Sequence, residues 1–257
     1  IGPLRNEVNI RRAGRVLNDV VVITLRDPAS RGELTKLGIT KPQIAVTADP
    51  VFGIEDYNRS AGRSILNMFG VPENKRTMVV SVRKTRDTNQ AIETTLARLC
   101  DYATEKYNCA VVFVPMQINK DEQISRNIRE KMTNPSYIID RRMSVSQIIS
   151  IMASSDACIG MRLHSLIYSA IGNVPIMAIS YDPKIESFME YINQRICIDI
   201  TELTDENAIL SLDELFNNYD KIKDELLLGC RKLKEKALEN GKIAVDLYEK
   251  GSVKLGN

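Results

Sequence analysis

The sequence has no tryptophan and few other aromatic residues. Aromatic side chains make up 5% of the 257 residues, and 35 basic against 33 acidic residues leave a net charge of +2. Nucleic-acid surfaces usually combine stacking aromatic rings with a strongly basic face. We therefore expect no nucleic-acid partner.

The chain is also poor in metal ligands and in long apolar runs. It has one histidine and five scattered cysteines with no C-x-x-C pair, so we expect no metal site. Unclustered thiols in odd number are typical of a reducing compartment. No apolar run is long enough to cross a bilayer. We expect a cytoplasmic protein with at most peripheral contact with the inner face of the cell membrane.

Several nucleotide and catalytic motifs are missing as well. The sequence has neither G-x-x-x-x-G-K-[ST] nor a G-x-G-x-x-G turn, and it has no D-x-D and no G-x-S-x-G element. It opens with Ile-Gly-Pro-Leu, without a methionine, in a stretch typical of the end of a strand. We expect an upstream part of the natural protein to precede it.

Apolar runs alternate with amphipathic segments along almost the whole chain. The predicted strands are VVVITLRD (20–27), QIAVTADP (43–50), TMVVSVR (77–83), CAVVFVPM (109–116), YIID (137–140), ACIG (157–160), VPIMAISYD (174–182) and ICIDI (196–200). The predicted helices cover 28–38, 88–107, 121–132, 145–154, the segment from 161 to Ile171, and most of the chain after 200. Residues 53–75 are predicted to join two halves.

This alternation predicts an α/β protein with two parallel-sheet units, the first of them incomplete. Ligands of such sheets bind outside the carboxyl ends of the strands. Predicted strands end at Arg26 and Arg83, and two others lead into Arg162 with His164 and into Lys184; Arg5 is a further candidate. Like charges brought together cost energy. The set therefore indicates an anionic ligand.

The helix after ACIG carries two of these candidates. Its predicted buried stripe follows helical spacing and consists of Leu163, Leu166, Ile167, Ala170 and Ile171. His164 lies at the margin of the stripe and Arg162 on its other flank, both in the predicted first turn, where free N–H groups favour an anion. The alternative is an exposed histidine and a surface arginine without a role.

Several polar residues have simpler structural explanations. Asp182 and Pro183 predict an N-cap and a first helical residue, which places Lys184 in the first turn, where a cation opposes the helix dipole. Lys184 is either an anion ligand or a solvated lysine. Asp27 and Asp49, each before a proline, are predicted caps or turn residues, with a place in the cleft as the alternative. Tyr181 is predicted to contact a ligand or to pack.

Three segments of the sequence resemble those of a known family. GMRLHSLIYSAIGNVPIMAISYDPK (160–184) is similar to the signature segment of the polysaccharide pyruvyl transferases, and in particular of bacterial cell-wall members. ITLRDPASRGELTKLGI and VTADPVF resemble two further blocks of the family, in the expected order. The resemblance implies a GT-B-like fold of two Rossmann-like domains. We expect residues 1–70 to be the remaining part of the amino-terminal domain on the acceptor side, and residues 71–257 the donor domain.

The resemblance also implies an activity. The family transfers the enolpyruvyl part of phosphoenolpyruvate to two hydroxyls of one sugar, which gives a cyclic ketal, and the implied acceptor is N-acetylmannosamine of a lipid-linked cell-wall precursor. No cofactor is needed besides the donor substrate. Arginines and a lysine suit the donor's phosphate and carboxylate.

The site residues follow from combining the resemblance with the strand ends. Phosphoenolpyruvate is expected to contact Arg162 and Lys184 together with Arg83, Arg26 or Arg5. His164 is the expected general acid. Asp49 and Asp27 are candidates for the acceptor side. Two alternatives stay open: a nucleotide-sugar-dependent glycosyltransferase on the same fold, and a non-catalytic anion-binding relative.

Overall fold

The computed structural model describes residues 6–254, with side chains as far as residue 250. Arg5 lies outside the described residues. The chain divides into two compact units, one of residues 1–54 with 231–257 and one of residues 55–230. The expected division at residues 70 and 71 differs from this one in two ways. The boundary falls at Ile54 and Glu55, and residues 231–257 belong to the first unit.

The first unit contains a small parallel sheet. Its elements are α1 (Glu7–Asn18), β1 (Val22–Leu25), α2 (Ala29–Lys36), β2 (Gln43–Val46) and a 3-10 helix (Pro50–Gly53). The two strands pair in parallel, and a core of Ile23, Leu25, Leu34 and Ile39 forms beside them. Asn240 joins the end of the chain to this unit, since its side chain donates to the carbonyl of Ala48 at 3.0 Å.

The second unit is built on a six-stranded parallel sheet. Its strands are β3 (Arg76–Ser81), β4 (Cys109–Phe113), β5 (Ser136–Ile138), β6 (Ala157–Gly160), β7 (Ile176–Ser180) and β8 (Cys197–Asp199), in the order β5-β4-β3-β6-β7-β8. Its helices are α3 (Arg59–Met68), α4 (Gln90–Tyr107), α5 (Ile118–Lys131), α6 (Val145–Ala153), α7 (Leu163–Ile171), α8 (Pro183–Tyr191) and α9 (Asp205–Asn217), with α10 (Tyr219–Lys254) running on into the first unit. A second 3-10 helix spans Ile200–Glu202.

The apolar composition of the strands explains why this sheet is buried. Every residue of β4, β6 and β7 is buried, as the continuous apolar runs predict for strands covered on both faces. All eight predicted strands are found, within a few residues of their expected bounds. The predicted α/β class with parallel sheets is therefore confirmed.

The order of the strands fixes where a ligand can bind in the second unit. The chain builds β3, β4 and β5 toward one side, then returns to lay β6 against the other side of β3. Between strands that diverge in this way, a crevice opens at their carboxyl ends. The register aligns Ser81 with Gly160, and Gly160 with Ala178. Arg83 and Arg162 each lie two residues beyond the aligned Ser81–Gly160 pair.

Two helices, α1 and α3, were not predicted. Residues 53–75 were expected to join two halves, but they contain α3, which is capped by the side chain of Asn58. The glycines of this segment suggested a loop, whereas Gly62 in fact lets α3 lie directly against α6. A Cβ on Gly62 would come within 2.0 Å of the carbonyl oxygen of Ser150.

This close approach predicts opposite effects for two glycine substitutions. Gly62→Ala should destabilise the protein by about 2 kcal/mol or more, because the backbone of α6 must move to admit the methyl group. Gly32→Ala, in α2, has open space around its Cβ and should stabilise by about 0.5–1 kcal/mol. Urea unfolding of both variants measures the difference. Equal free energies of unfolding would contradict the packing of α3 on α6.

Candidate functional site

Arg162 forms a buried ion pair. Its Nε donates to Oδ2 of Asp121 at 3.0 Å, and its Nη2 donates to Oδ1 of the same carboxylate. The Asp121 side chain is fully buried, and that of Arg162 is 12% exposed. Arg162 was expected in the first turn of its helix, but its extended backbone makes it the N-cap residue of α7 instead.

The Asp121 carboxylate was not among the predicted site residues. It lies in the first turn of α5, where an acidic residue is common and gives no hint of a distant partner. The backbone N–H of Gln117 also donates to it, at 2.9 Å, while the Gln117 side chain accepts from Arg162 at 3.3 Å. Arg162 and the Gln117 N–H thus both donate to the buried Asp121 carboxylate and compensate its charge. The Asp121 carboxylate and the Gln117 side chain in turn hold the Arg162 guanidinium in one orientation.

His164 lies in the first turn of α7 and is exposed. Its ring centroid is 5.8 Å from that of Tyr168, one helical turn later. The neighbouring residues Leu163, Leu166 and Ile167 are buried, as the predicted stripe requires, whereas Ile171 is only half-buried. The histidine therefore lies off the apolar face of the helix, as predicted.

Arg83 and Lys184 meet at the ring of Tyr181. Nη1 of Arg83 donates to the Tyr181 hydroxyl at 2.6 Å, and the guanidinium carbon lies 5.1 Å from the ring centroid. The Lys184 ammonium lies 5.2 Å from the same centroid. Cation–π attraction stabilises each of these cations against the ring. Tyr181 thus contacts both predicted ligand-binding cations, which follow different strands.

Lys184 also has a carboxylate partner. Asp182 is the N-cap of α8, as predicted, and its Oδ1 accepts from the Lys184 backbone N–H at 3.1 Å. The Lys184 ammonium donates to Oδ2 at 3.1 Å. Burial alone would raise the pKa of Asp182, but these hydrogen bonds outweigh it and lower that pKa below its ordinary value. Arg83, by contrast, forms no ion pair within the described residues.

Two small residues complete this edge of the sheet. Ser81 is fully buried, and its hydroxyl oxygen has no hydrogen-bond partner in the described part of the chain. A Cβ on Gly160 would lie 2.6 Å from Leu166 and 2.8 Å from the Ser165 hydroxyl, so only glycine lets α7 start this close to β6. Sequence reasoning missed both, because small residues at strand ends carry little signal.

The other predicted residues lie in the first unit. Arg26 pairs with Asp27 at 3.7 Å and with Asp49 at 3.8 Å. Asp27 accepts from the Ser30 N–H at 2.8 Å, and Asp49 accepts from the Val51 N–H at 3.2 Å. Asp49 is the N-cap of the 3-10 helix, as predicted, whereas Pro28 is the N-cap residue of α2 and Asp27 lies one residue before it. Arg26 has two acidic neighbours.

Residues 6–254 contain neither a metal-binding cluster nor a membrane-spanning helix. No cluster of three or more histidine, cysteine or carboxylate side chains suited to a metal ion occurs there. Within the same range, no helix combines the length and the apolar character needed to cross a membrane. The five cysteines are free thiols, and burial raises the pKa of Cys158 to about 12.

The buried ion pair predicts a large effect of one neutral substitution. Asp121→Asn keeps the shape of the side chain but leaves the Arg162 charge buried without a counter-charge, which should cost about 3–5 kcal/mol of stability. The adjacent Glu122→Gln removes the carboxylate of a half-buried, solvent-accessible pair with Arg126 and should cost about 0.5 kcal/mol. Denaturant unfolding measures both. Similar losses for the two variants would show that the Asp121–Arg162 pair is not critical for stability.

The cap of α8 predicts a pH dependence. Because folding lowers the pKa of Asp182, its stabilising contribution is present above the unfolded-state pKa and is lost as the pH falls through the lower folded-state value. Asp182→Ala should cost about 1 kcal/mol at neutral pH, and Asp182→Asn less, because asparagine also caps helices. Thermal unfolding from pH 7 to pH 3 measures this. A wild-type-to-alanine difference that stays constant down to pH 3 would contradict the assignment.

Comparisons with known proteins agree with this architecture. The Anabaena protein HepE, solved with UDP and glucose, superposes with a TM-score of 0.64 at 14% identity over 95% of this chain and 68% of that one. A glycosyltransferase from Rickettsia africae gives a TM-score of 0.63 at 13% identity, over 95% of this chain and 67% of that one. These likenesses show the fold alone, and they confirm the expected GT-B-like α/β class.

Sequence comparison is more specific. The amylovoran biosynthesis protein AmsJ of Erwinia amylovora is 21% identical over 265 aligned positions, which cover 97% of this chain and 63% of AmsJ. The chain thus spans less than two thirds of that relative. Residues 1–183, including β1 to β7 and the Arg162–His164 segment, match one family along their whole length. The chain belongs to the polysaccharide pyruvyl transferase family.

Proposed function

We propose that this chain transfers a pyruvyl group from phosphoenolpyruvate to two hydroxyls of a sugar in a polysaccharide precursor, which gives a cyclic ketal and phosphate. Membership of the family supports the reaction class. The observation that carries the choice of donor is the Arg83–Tyr181–Lys184 contact at the carboxyl edge of the second unit. Both cations contact the same ring, at the edge where parallel sheets bind their ligands.

The donor has two anionic ends for these cations. Arg83 is the main ligand in this proposal, because its side-chain hydrogen bond in the described residues goes to a neutral phenol and it forms no ion pair there. Lys184 is the second ligand and exchanges part of its contact with Asp182 for the donor. Arg162 contributes through Nη1, since Nε and Nη2 are held by Asp121. Arg26 and Arg5 remain predictions as further ligands.

His164 is the proposed general acid. In its protonated form it gives a proton to C3 of the enol, and C2 then accepts one sugar hydroxyl. The C2–O bond to phosphate breaks, and the second hydroxyl attacks C2 to close the ketal. One hydroxyl proton leaves with the phosphate and the other returns to the histidine, so protons balance over the cycle. Exposure of His164 suits this exchange.

The acceptor in this proposal is N-acetylmannosamine of a lipid-linked cell-wall precursor. Asp49 and Asp27 of the first unit are the proposed acceptor-side residues, with one of them accepting a hydroxyl proton. Both already accept backbone hydrogen bonds, from Val51 and Ser30, which fixes their carboxylates. The protein would act in the cytoplasm, at the membrane face where such precursors are exposed.

Calorimetric titration with phosphoenolpyruvate tests the donor site. Arg83→Gln should weaken binding by about 10-fold to 100-fold, the range for losing a charge-assisted hydrogen bond. Arg76→Gln is a matched control, because Arg76 also stacks on an aromatic ring, 5.7 Å from Phe216, but begins the same strand instead of following its end. Equal affinities for the two variants would refute the assignment.

Separate measurements of donor binding and of turnover test the proposed role of His164. His164→Gln should bind phosphoenolpyruvate within about 2-fold of wild type, while phosphate release with a prenyl-linked N-acetylmannosamine acceptor should fall by about 10²-fold to 10⁴-fold. Unchanged phosphate release would contradict the acid role.

UDP is the control ligand for the glycosyltransferase alternative. Preference for UDP over phosphoenolpyruvate at the Arg83 site would favour a glycosyltransferase. Donor binding without phosphate release in the wild type would favour a non-catalytic relative.

A further inference from the structure

A cavity of about 390 Å³ opens beside the carboxyl ends of β4 and β5. Val114 and Ile139, the residues that directly follow these strands, form its floor with Ile148 of α6. Its volume lies within the range of about 300–1,000 Å³ of small-molecule sites, so it is larger than one phosphate needs. Neither Arg83 nor Lys184 lines it. It is therefore a second space at the edge of the sheet where ligands are expected.

The polar lining of this cavity is cationic. Lys120, Arg141 and Arg142 line it, and no carboxylate does. Arg141 lies over the ring of Phe69, 5.8 Å from its centroid, whereas Arg142 and Lys120 form no ion pair within the described residues. Three cations around one space repel one another unless an anion lies between them. The lining thus suits a ligand with at least two negative charges and an apolar or sugar group attached.

The cavity is connected to the predicted donor edge. Gln117 belongs to its lining, and the same side chain accepts a hydrogen bond from Arg162, the residue before α7. Asp121, one turn later on α5, holds the other side of that guanidinium. A ligand in the cavity therefore lies one side chain away from the segment that carries His164.

We propose that this cavity binds the diphosphate group of the sugar acceptor. This rests on the proposed function, in which the donor's anionic ends are bound by Arg83 and Lys184. A diphosphate diester carries about two negative charges at neutral pH, which Arg142, Arg141 and Lys120 match. The apolar floor of Val114, Ile139 and Ile148 contacts the organic group attached to the diphosphate. A nucleoside diphosphate sugar and a prenyl diphosphate sugar share this chemistry.

Binding of inorganic pyrophosphate tests the site directly. Calorimetry on the full chain should give saturable binding that Arg142→Gln weakens by about 10-fold. Arg129→Gln is the matched control, because Arg129 is an exposed arginine in the last turn of α5 and does not line the cavity. It should change the affinity by less than 2-fold. No binding by the wild type, or equal effects of the two substitutions, would overturn the proposal.

Competition distinguishes this site from the donor site and identifies the source of the diphosphate. Phosphoenolpyruvate should not displace pyrophosphate, and displacement would overturn the proposal. UDP and geranyl diphosphate should each displace pyrophosphate. The one that binds with higher affinity assigns the acceptor to the nucleotide-linked or the lipid-linked class. Displacement by neither would count against the cavity as a diphosphate site.

The two proposals can fail separately. Pyrophosphate binding that depends on Arg142, in a chain that does not bind phosphoenolpyruvate, would reject the donor assignment and leave the cavity as a diphosphate site. Phosphoenolpyruvate binding that depends on Arg83, with no pyrophosphate binding, would reject the cavity alone. Arg142 is exposed, so Arg142→Gln should fold, and circular dichroism confirms this.

Discussion

The carboxyl edge of the sheet in the second unit, where we propose that the donor binds, depends on the buried ion pair between Asp121 and Arg162. Burying either charge alone would cost several kcal/mol, and the two together are stable because their hydrogen bonds are nearly saturated. Asp121 follows β4 and Arg162 follows β6, and β3 lies between these strands. The pair therefore crosses the carboxyl end of β3. It fixes the starting points of α5 and α7, and with them the backbone at His164.

The remaining cations at this edge differ in how far their charge is compensated. Arg162 has Asp121 and Lys184 has Asp182, whereas the hydrogen-bond partner of Arg83 is the uncharged hydroxyl of Tyr181. An anion can therefore bind Arg83 without displacing an ion-paired carboxylate. The same reasoning applies to the cavity beside β4 and β5, where Arg142 and Lys120 lack carboxylate partners in the described region. Two separate cationic sites fit the proposed reaction, in which the proposed donor and the proposed acceptor each carry negative charge.

Much of this could be predicted from the sequence, because the relevant signals are local. Continuous apolar runs identified the buried strands, and the Asp182–Pro183 pair identified the cap of α8. The ends of parallel strands then placed Arg83 and Lys184 on one edge.

Three features could not be predicted in this way, since each depends on residues far apart in the chain. Asp121 acquires its role through Arg162, which lies 41 positions later. Helix α3 was not predicted, because Gly62, which packs against α6, suggested a loop. The buried, unpartnered hydroxyl of Ser81 becomes visible only when β3 and β6 lie side by side.

The central claim is that phosphoenolpyruvate binds at the carboxyl edge of β3, β6 and β7. A crystal structure of the chain with phosphoenolpyruvate, together with one of Arg83→Gln grown under the same conditions, tests it most directly. The account predicts phosphate or carboxylate density within hydrogen-bond distance of Arg83 and Lys184, absent from the variant. Donor density in the cavity lined by Arg142, or density at the edge that persists without Arg83, would contradict it.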